Sequence, residues 1–477
     1  MTRVLEILPS YPEYYVELKF DFHPEHKDWV KNLLGVKSTG AWNSERQTWR
    51  VPASWVDTVR QKFEGWGYEV IERYGRVEKG SVRDLLNPDL RPWQVEGVER
   101  AFYAPGMRYI FGFVTGAGKT RAALEFARLI RAQRILVVCP GSVRYTWRSQ
   151  VEKWWPEAPH LEVIEYGRGR ALSKKKAQER DNAYMAPFQV VSYDLVSEVT
   201  VKGWDLVIYD EFHMCQHPTS KQSQACYEIS KYNPDAAVLG LTATLAPTEP
   251  LNLYGPLHVL HPDCWGKPEK KKKQYPCFDF ARRYSNGSKE EYGWRFEGVN
   301  ESYEEELRSR LSTCFMRVTE EGVRGYIPAV NFDVLRVDRK TDKVIREWAE
   351  SHGEPCVVFT WYRTRAEALA SVLGGRYVHG EMDAKRRNAI IEDCRIHGVP
   401  LVATMASAGI GIDLGYASRV LIAELTGRAE KIVQACGRVM GLRRTKPAFV
   451  TFLVEDTAKE ERRAWILAER LQGISSG

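Results

Sequence analysis

Gly116-Ala117-Gly118-Lys119-Thr120 follows an apolar run from Tyr109 to Val114 and precedes a helical pattern from Arg121 to Ile130. A strand entering a glycine-flanked turn that opens a helix can cradle phosphate. Glycines let backbone N–H groups close around the oxygens, and the helix N-terminus adds its positive dipole end. In such a cradle Thr115 to Thr120 line the nucleotide. Lys119 reaches the β- and γ-phosphates, and the Thr120 hydroxyl holds Mg²⁺. Phe113 stands where the first glycine of such loops usually lies, with Gly112 one place earlier. Taken alone, the turn fits a phosphate loop and an ordinary strand–turn–helix alike.

A second constellation narrows the choice. Leu206 to Asp210 is an apolar strand pattern that delivers Asp210 and Glu211, followed by Phe212 and His213. Adjacent carboxylates at a strand tip suit Mg-nucleotide hydrolysis. Asp210 holds the metal through water, and Glu211 positions and deprotonates the attacking water. Gly240 to Thr244 ends another strand with two hydroxyls, Thr242 and Thr244, able to relay hydrogen bonds between a hydrolysis site and a bound strand. Gln94 lies upstream of the loop, where its amide can pair with the adenine edge.

These residues need a scaffold. Ile135–Pro140, Val190–Asp194 and Leu206–Asp210 read as buried strands alternating with helices, which argues for a parallel sheet covered on both faces. A second alternation begins after a connecting region, 251–330. It has strands at Pro355–Thr360, Leu401–Thr404 and Val420–Glu424, and helices at Arg363–Leu373 and Ala384–Cys394. No second Gly-Lys-Thr occurs there, so this half is expected to complete the first site. Arg438, in Gln434-x-x-Gly-Arg, is placed to reach a γ-phosphate as an arginine finger does.

The expected organisation is α/β: two lobes of alternating strands and helices, 77–250 and 331–457, preceded by a small α+β unit, 1–76, and followed by a helix, 458–477. Within 1–76, a strand (Tyr15–Phe20), a helix (Pro24–Leu34), a hairpin around Asn43–Arg46, a helix (Ser54–Gly65) and a strand (Tyr68–Arg73) are expected. Trp42, Arg46, Trp49 and Arg50 on that hairpin could stack on bases and hold phosphates. The competing expectation is that at least one of the tryptophans is core.

Composition sets the outer bounds. The 477 residues allow two or three domains, and 44% hydrophobic residues is ordinary for a globular chain. No apolar run approaches membrane-spanning length. The nine cysteines form no CxxC pair, so no structural metal is expected, and a reducing compartment fits. The net charge of +7 is unevenly placed. Residues 266–295 carry nine Lys/Arg against four Asp/Glu, including Lys271 and Lys272, and residues 415–446 carry seven against two. Such clusters point to a polyanion, most simply nucleic acid.

The ordered set resembles the superfamily 2 helicases, and within them the SWI/SNF-related DNA translocases of the annealing-helicase branch. The resemblance runs over roughly 86–455. It rests on Leu90–Val98, Val138–Val143, Ser192–Asp194, Trp204–His213, Leu241–Thr244 and the glycine-rich run 407–414. Residues 37–52 look, more loosely, like the core of that branch's accessory domain. The family implies two RecA-like lobes preceded by a small accessory DNA-binding domain, forming an ATP- and Mg²⁺-dependent motor that acts on duplex, forked or branched DNA. It implies Gln94 at adenine and Lys119, Thr120, Asp210 and Glu211 at phosphate, metal and water. Gln434 and Arg438 would serve from the second lobe. Motor coupling would involve His213, Thr242, Thr244, Gly411 and Asp413.

Three positions depart from the family pattern: Phe113 in the loop, Phe212 after the acidic pair, and Gly441 where relatives carry a second arginine finger. The finger is then Arg438 alone, or Arg438 with Arg443 or Arg444. The expectation is a monomeric DNA-dependent ATPase, working with replication or recombination proteins in a bacterial or phage-infected cytoplasm. An RNA-unwinding motor and a weakly hydrolysing ATP-gated DNA clamp are the alternatives.

Overall fold

The described residues of the computed structural model are 3–36, 42–73, 82–114, 116–243, 245, 250–266, 277–290, 293–319, 321–323, 330–351, 355–408, 414, 416–425, 432, 435–436, 448–455, 457, 460, 462, 464 and 466–467. Residues 1–112, 119–141 and 150–317 form one compact unit, and 113–118, 142–149 and 318–477 form a second.

The first unit opens with a five-stranded sheet. Its strands are β1 (Arg3–Pro9), β2 (Tyr15–Phe20), β3 (Trp42–Asn43), β4 (Thr48–Pro52) and β5 (Tyr68–Glu72), in the order β3-β4-β2-β1-β5. Helices α1 (Pro24–Asn32) and α2 (Val56–Gly65) accompany it. The expected hairpin is β3–β4. Its turn is tied by the Asn43 side chain, whose Oδ1 accepts from the backbone N–H of Glu45 and of Arg46, each at 3.1 Å. β1 lacks a clean alternation and was not expected from the sequence. It pairs antiparallel with β2 and parallel with β5, and so becomes an interior strand.

After α3 (Pro92–Phe102) comes the larger sheet. Strand β6 (Arg108–Phe113) leads through the glycine loop into α4 (Lys119–Leu129). There follow β7 (Ile135–Cys139), α5 (Arg144–Trp154), β8 (Leu161–Val163), α6 (Lys174–Met185), β9 (Phe188–Ser192), β10 (Leu206–Asp210), α7 (Lys221–Tyr232) and β11 (Ala237–Leu241). Strands β6 to β11 run parallel. All of β6, β7, β9 and β11 is buried, the continuous burial expected of a sheet covered on both faces.

Residues read from the sequence as a connection belong to this unit as far as Arg317. They form α8 (Pro250–Leu260), α9 (Phe278–Tyr284), the hairpin β12 (Asn286–Glu290)–β13 (Gly293–Glu297), α10 (Glu304–Ser312) and β14 (Phe315–Val318). β14 lies beside β6 and completes the order β14-β6-β11-β10-β7-β9-β8. The sequence hid α8 because it is apolar all round and buried almost throughout, so it shows no helical stripe. Gly112 allows the β6–β14 approach, since a Cβ there would lie 2.7 Å from the Phe315 ring.

One apolar core runs from the small sheet into the large one, taking in Leu5, Trp55, Phe63, Val138, Tyr209, Trp265 and Phe315. Two buried arginines cross the same junction. Arg310 lies between the rings of Trp55 (4.1 Å) and Trp265 (3.9 Å) and donates to Ser54 Oγ, the Tyr284 hydroxyl and the Cys264 carbonyl. Arg108 lies 4.7 Å from the Tyr14 ring centre and donates to the carbonyls of Leu260, Ser230 and Asn233. The guanidinium groups use stacking and neutral acceptors in place of carboxylates.

The second unit has a six-stranded parallel sheet. Its strands are β15 (Val330–Val337), β16 (Cys356–Thr360), β17 (Arg376–Val378), β18 (Leu401–Thr404), β19 (Arg419–Ile422) and β20 (Ala448–Glu455), in the order β15-β20-β19-β16-β18-β17. Helices α11 (Asp342–Glu350), α12 (Arg363–Val372) and α13 (Ala384–His397) connect them, with Thr341 capping α11 through a bond from the Val344 N–H. Both large sheets are of the α/β type expected from the alternation of strands and helices, and of the RecA-like class that the resemblance implies.

Candidate nucleotide site

The glycine loop sits between a buried strand tip and a helix start. Gly116 (φ 84°) and Gly118 (φ 81°) are both in the left-handed region that a side chain disfavours. The Ala117 N–H bonds the Val114 carbonyl at 3.1 Å, which closes the turn. Lys119 and Thr120 open α4, so the helix's first N–H groups lie at the loop. Phe113, the departure from the usual pattern, is fully buried. It therefore packs into the core rather than lining the loop.

Asp210 ends β10, two strands from β6 in the same sheet and at the same carboxyl edge. Its Oδ1 accepts from the Glu211 N–H at 3.0 Å. Its carbonyl accepts from the Tyr193 hydroxyl at 3.0 Å. Burial raises the Tyr193 phenol well above its ordinary range, so the hydroxyl stays a donor. Ser192-Tyr193-Asp194 was legible as a motif, but its role was not: Tyr193 fixes the strand tip that carries Asp210. Glu211 has φ 50° and ψ 54°, a strained backbone for a residue with a Cβ. It turns the chain sharply out of the sheet, and its carboxylate remains partly exposed. His213 Nδ1 lies 3.4 Å from Glu211 Oε2, within ion-pair range though not aligned as a hydrogen bond.

Phe212 is fully buried and stacks on Tyr209, with centroids 5.2 Å apart and planes 7° apart. It fits because residue 240 is glycine: a Cβ there would meet the Phe212 ring at 2.2 Å. The departure at 212 is thus matched by Gly240 on the neighbouring strand. Thr242 is buried, and its N–H bonds the Phe111 carbonyl at 3.1 Å, tying the exit of β11 to β6. Gln94 is buried in α3, where its Oε1 accepts from the Arg91 N–H at 2.9 Å and caps the helix.

The hairpin residues divide. Trp42 is 48% exposed, whereas Trp49 is core at 8%; the two rings are 5.0 Å apart. Arg46 is exposed and lies 3.5 Å from Glu17. Arg50 packs 4.3 Å from the Tyr15 ring centre and donates to the Tyr11 carbonyl. Of the four nominated residues, Trp42 and Arg46 are thus the exposed ones. Thr115, Thr244, Lys271, Lys272, Gly411, Asp413, Gln434, Arg438, Gly441, Arg443 and Arg444 lie outside the described residues.

Comparison with known proteins follows the same two-part division. The family described as Type III restriction enzyme, res subunit, matches residues 87–247, and the Helicase conserved C-terminal domain matches 339–441. The chain is therefore similar to the superfamily 2 helicases, and among them to the SWI/SNF-related type. It is 22% identical over 441 residues to the SWI/SNF-related matrix-associated actin-dependent regulator of chromatin subfamily A-like protein 1 of Xenopus tropicalis, covering 80% of this chain and 44% of that one. It is 24% identical over 250 residues to the human DNA annealing helicase and endonuclease ZRANB3, covering 51% of this chain and 22% of the relative. The chain thus spans less than half the length of these relatives. The S. cerevisiae protein Dbp5, solved bound to RNA and ADP BeF3, shares the family fold at TM-score 0.50 and 13% identity, over 81% of this chain and 92% of that one.

Among the described residues, no helix is long and apolar enough to cross a membrane, and no cluster of His, Cys, Asp or Glu could hold a metal by itself. The donor set nonetheless suits a nucleotide-borne Mg²⁺. Thr120 at the helix start and Asp210 at a strand tip supply oxygens, and the loop supplies N–H groups for the phosphates.

Proposed function

We propose that this chain is an ATP-dependent DNA translocase that remodels or anneals duplex, forked or branched DNA. The observation that carries the reading is the pairing of two built features at one sheet edge. One is the loop with two left-handed glycines that opens α4; the other is Asp210-Glu211, held two strands away by the Tyr193 bond. The similarity to annealing helicases directs the reading toward DNA.

In this reading the loop amides and Lys119 bind the β- and γ-phosphates. Thr120 and Asp210 hold Mg²⁺, which when bound neutralises phosphate charge. Glu211 orients the attacking water and accepts its proton. The strained backbone at Glu211 gives its carboxylate a fixed position relative to Asp210. Gln434 and Arg438 act from the second lobe, with Arg443 and Arg444 as further finger candidates. Residues 1–76 serve as an accessory DNA-binding domain. Function as a monomer, alongside replication or recombination proteins, and a bacterial or phage-infected setting belong to the same proposal.

ATP turnover is to be measured without nucleic acid and with single-stranded, duplex and forked DNA and RNA, with Lys119→Ala as the blank. Stimulation by duplex or forked DNA of tenfold or more, lost in the variant, is the expected result. Stimulation by RNA alone would move the chain to the RNA-unwinding class. ATP binding without turnover on any substrate would make it a nucleotide-gated clamp.

A further inference from the structure

A basic surface lies on the first unit, at the edge of the large sheet far from β6. Residues 165–180 carry six Lys/Arg against two Glu, Glu165 and Glu179. They form the turn after β8 and the start of α6. β8 is the sheet edge five strand spacings from β6, roughly 24 Å at the usual spacing. It runs parallel to β9, so its turn leaves the same carboxyl edge as Asp210.

The turn is built rather than loose. The Arg168 N–H bonds the Glu198 carboxylate, and Arg168 Nε donates to the Glu198 carbonyl at 3.0 Å. A Cβ on Gly167 would meet Glu198 Oε1 at 2.4 Å, so a side chain there would push the carboxylate away from the turn. Arg180 reaches back from α6 to the carbonyls of Arg168 (2.7 Å) and Arg170 (3.3 Å). The Arg168 guanidinium lies 4.2 Å from the Tyr184 ring centre. Two of the six cations are therefore structural.

The other four, Arg170, Lys174, Lys175 and Lys176, are exposed and pair with no carboxylate among the described residues. Arg170 and Lys176 both approach the Tyr166 ring, at 5.1 and 5.8 Å. Four unpaired cations on a braced platform concentrate positive potential, while the loop needs no reordering to meet a ligand. The platform is too far from β6 to serve the same triphosphate, and its several cations suit a run of phosphates.

We propose that the 166–180 platform is a separate binding site for the DNA phosphate backbone, with Arg170, Lys174, Lys175 and Lys176 as contacts and Glu198 as the positioning residue. This rests on the DNA-directed reading above. The test uses the full chain and a fluorescently labelled duplex, with affinity read by anisotropy across a salt series. Arg170, Lys174, Lys175 and Lys176 are changed together to Gln. A charge-matched control changes Lys202, Lys231, Arg308 and Lys343 to Gln.

The platform set is expected to weaken binding tenfold or more beyond the control. It should also lower the slope of log K against log salt by about 2–4, given about 0.9 per phosphate contact. Glu198→Gln separates a built site from diffuse charge. It makes the chain more positive, yet it should weaken binding severalfold by releasing the turn, with the thermal midpoint tracked alongside. Equal losses in the platform and control sets would overturn the site. Tighter binding by Glu198→Gln would overturn the positioning role. Absence of DNA binding by the unaltered chain would overturn both this site and the DNA reading, whereas normal binding that ignores the platform set would sink this site alone.

Discussion

Trp42 and Trp49 show how two like residues seven apart acquire different duties. They are cross-strand partners with rings 5.0 Å apart, yet Trp42, on the edge strand β3, is exposed and Trp49, on β4, is buried. Trp49→Ala should cost about 3–5 kcal/mol of stability, the usual range for a buried aromatic. Trp42→Ala should cost less than about 1 kcal/mol, but weaken single-stranded or forked DNA binding by the about 1–3 kcal/mol that a base–aromatic stack supplies. Urea unfolding and a DNA titration on both variants check the split. Equal stability losses, or no affinity change for Trp42→Ala, would remove this hairpin from the proposed interface.

Among the elements, β10 and β11 illustrate a paired constraint. Phe212 leaves the tip of β10 and its ring occupies the space above Gly240 on β11. Gly240→Ala should destabilise the first unit by about 1–3 kcal/mol through overpacking. Phe212→Ala opens a cavity and should also destabilise. The double variant should be more stable than the sum of the two losses predicts, because each change relieves the other. Additive losses would show that the ring and the glycine do not share that space. The acidic pair was legible because carboxylates at the end of an apolar strand are conspicuous. The compensation was not, because nothing in a linear sequence says which glycine lies beneath which ring.

For the whole molecule, the small N-terminal sheet and the large sheet of the first unit share one core. Arg310→Ala should cost about 2–5 kcal/mol, because it opens a cavity between two indoles and leaves buried acceptors without their donor. It strips Ser54, the Tyr284 hydroxyl and the Cys264 carbonyl of a donor and leaves two indole faces apart. Deleting residues 1–73 should leave a chain that unfolds at lower temperature, because Trp265 and its neighbours lose their cover. A thermal midpoint unchanged by the deletion would show that the sheet is an independent module.

The first unit also stores an acid sensitivity. His258 is stacked between Tyr227 (4.4 Å) and Tyr254 (5.6 Å), and burial holds its pKa down at about 4. His261 lies against Tyr14, with burial as the main cause and Arg108 next, and is held down to about 3. An unfolded histidine takes up a proton near pH 6.5. Their neutral burial therefore stabilises fully above pH 6.5, and the stability is lost as pH falls toward 4. The loss from His258 is of order 3 kcal/mol by pH 4. His258→Phe should flatten the fall of the thermal midpoint over that window. An unchanged slope would mean that other groups govern acid unfolding.

The class of fold and the groups proposed to do chemistry were legible in the linear sequence. Gly-x-Gly-Lys-Thr, Asp-Glu at a strand tip and two rounds of strand–helix alternation are local patterns. Local patterns fix which groups are delivered and on what kind of element. Continuous apolar strands such as Ile135–Cys139 also announce burial on both faces. That Trp49 is core and Trp42 is not follows from packing between distant segments. The same holds for Tyr193 bracing Asp210, for Gly240 accommodating Phe212, and for residues 250–317 closing the first unit through β14. Each depends on contacts between residues far apart in the chain. Arg108 and Arg310 are the plainest case: by type they belong on the surface, and three-dimensional packing alone supplied the rings and carbonyls that hold them inside.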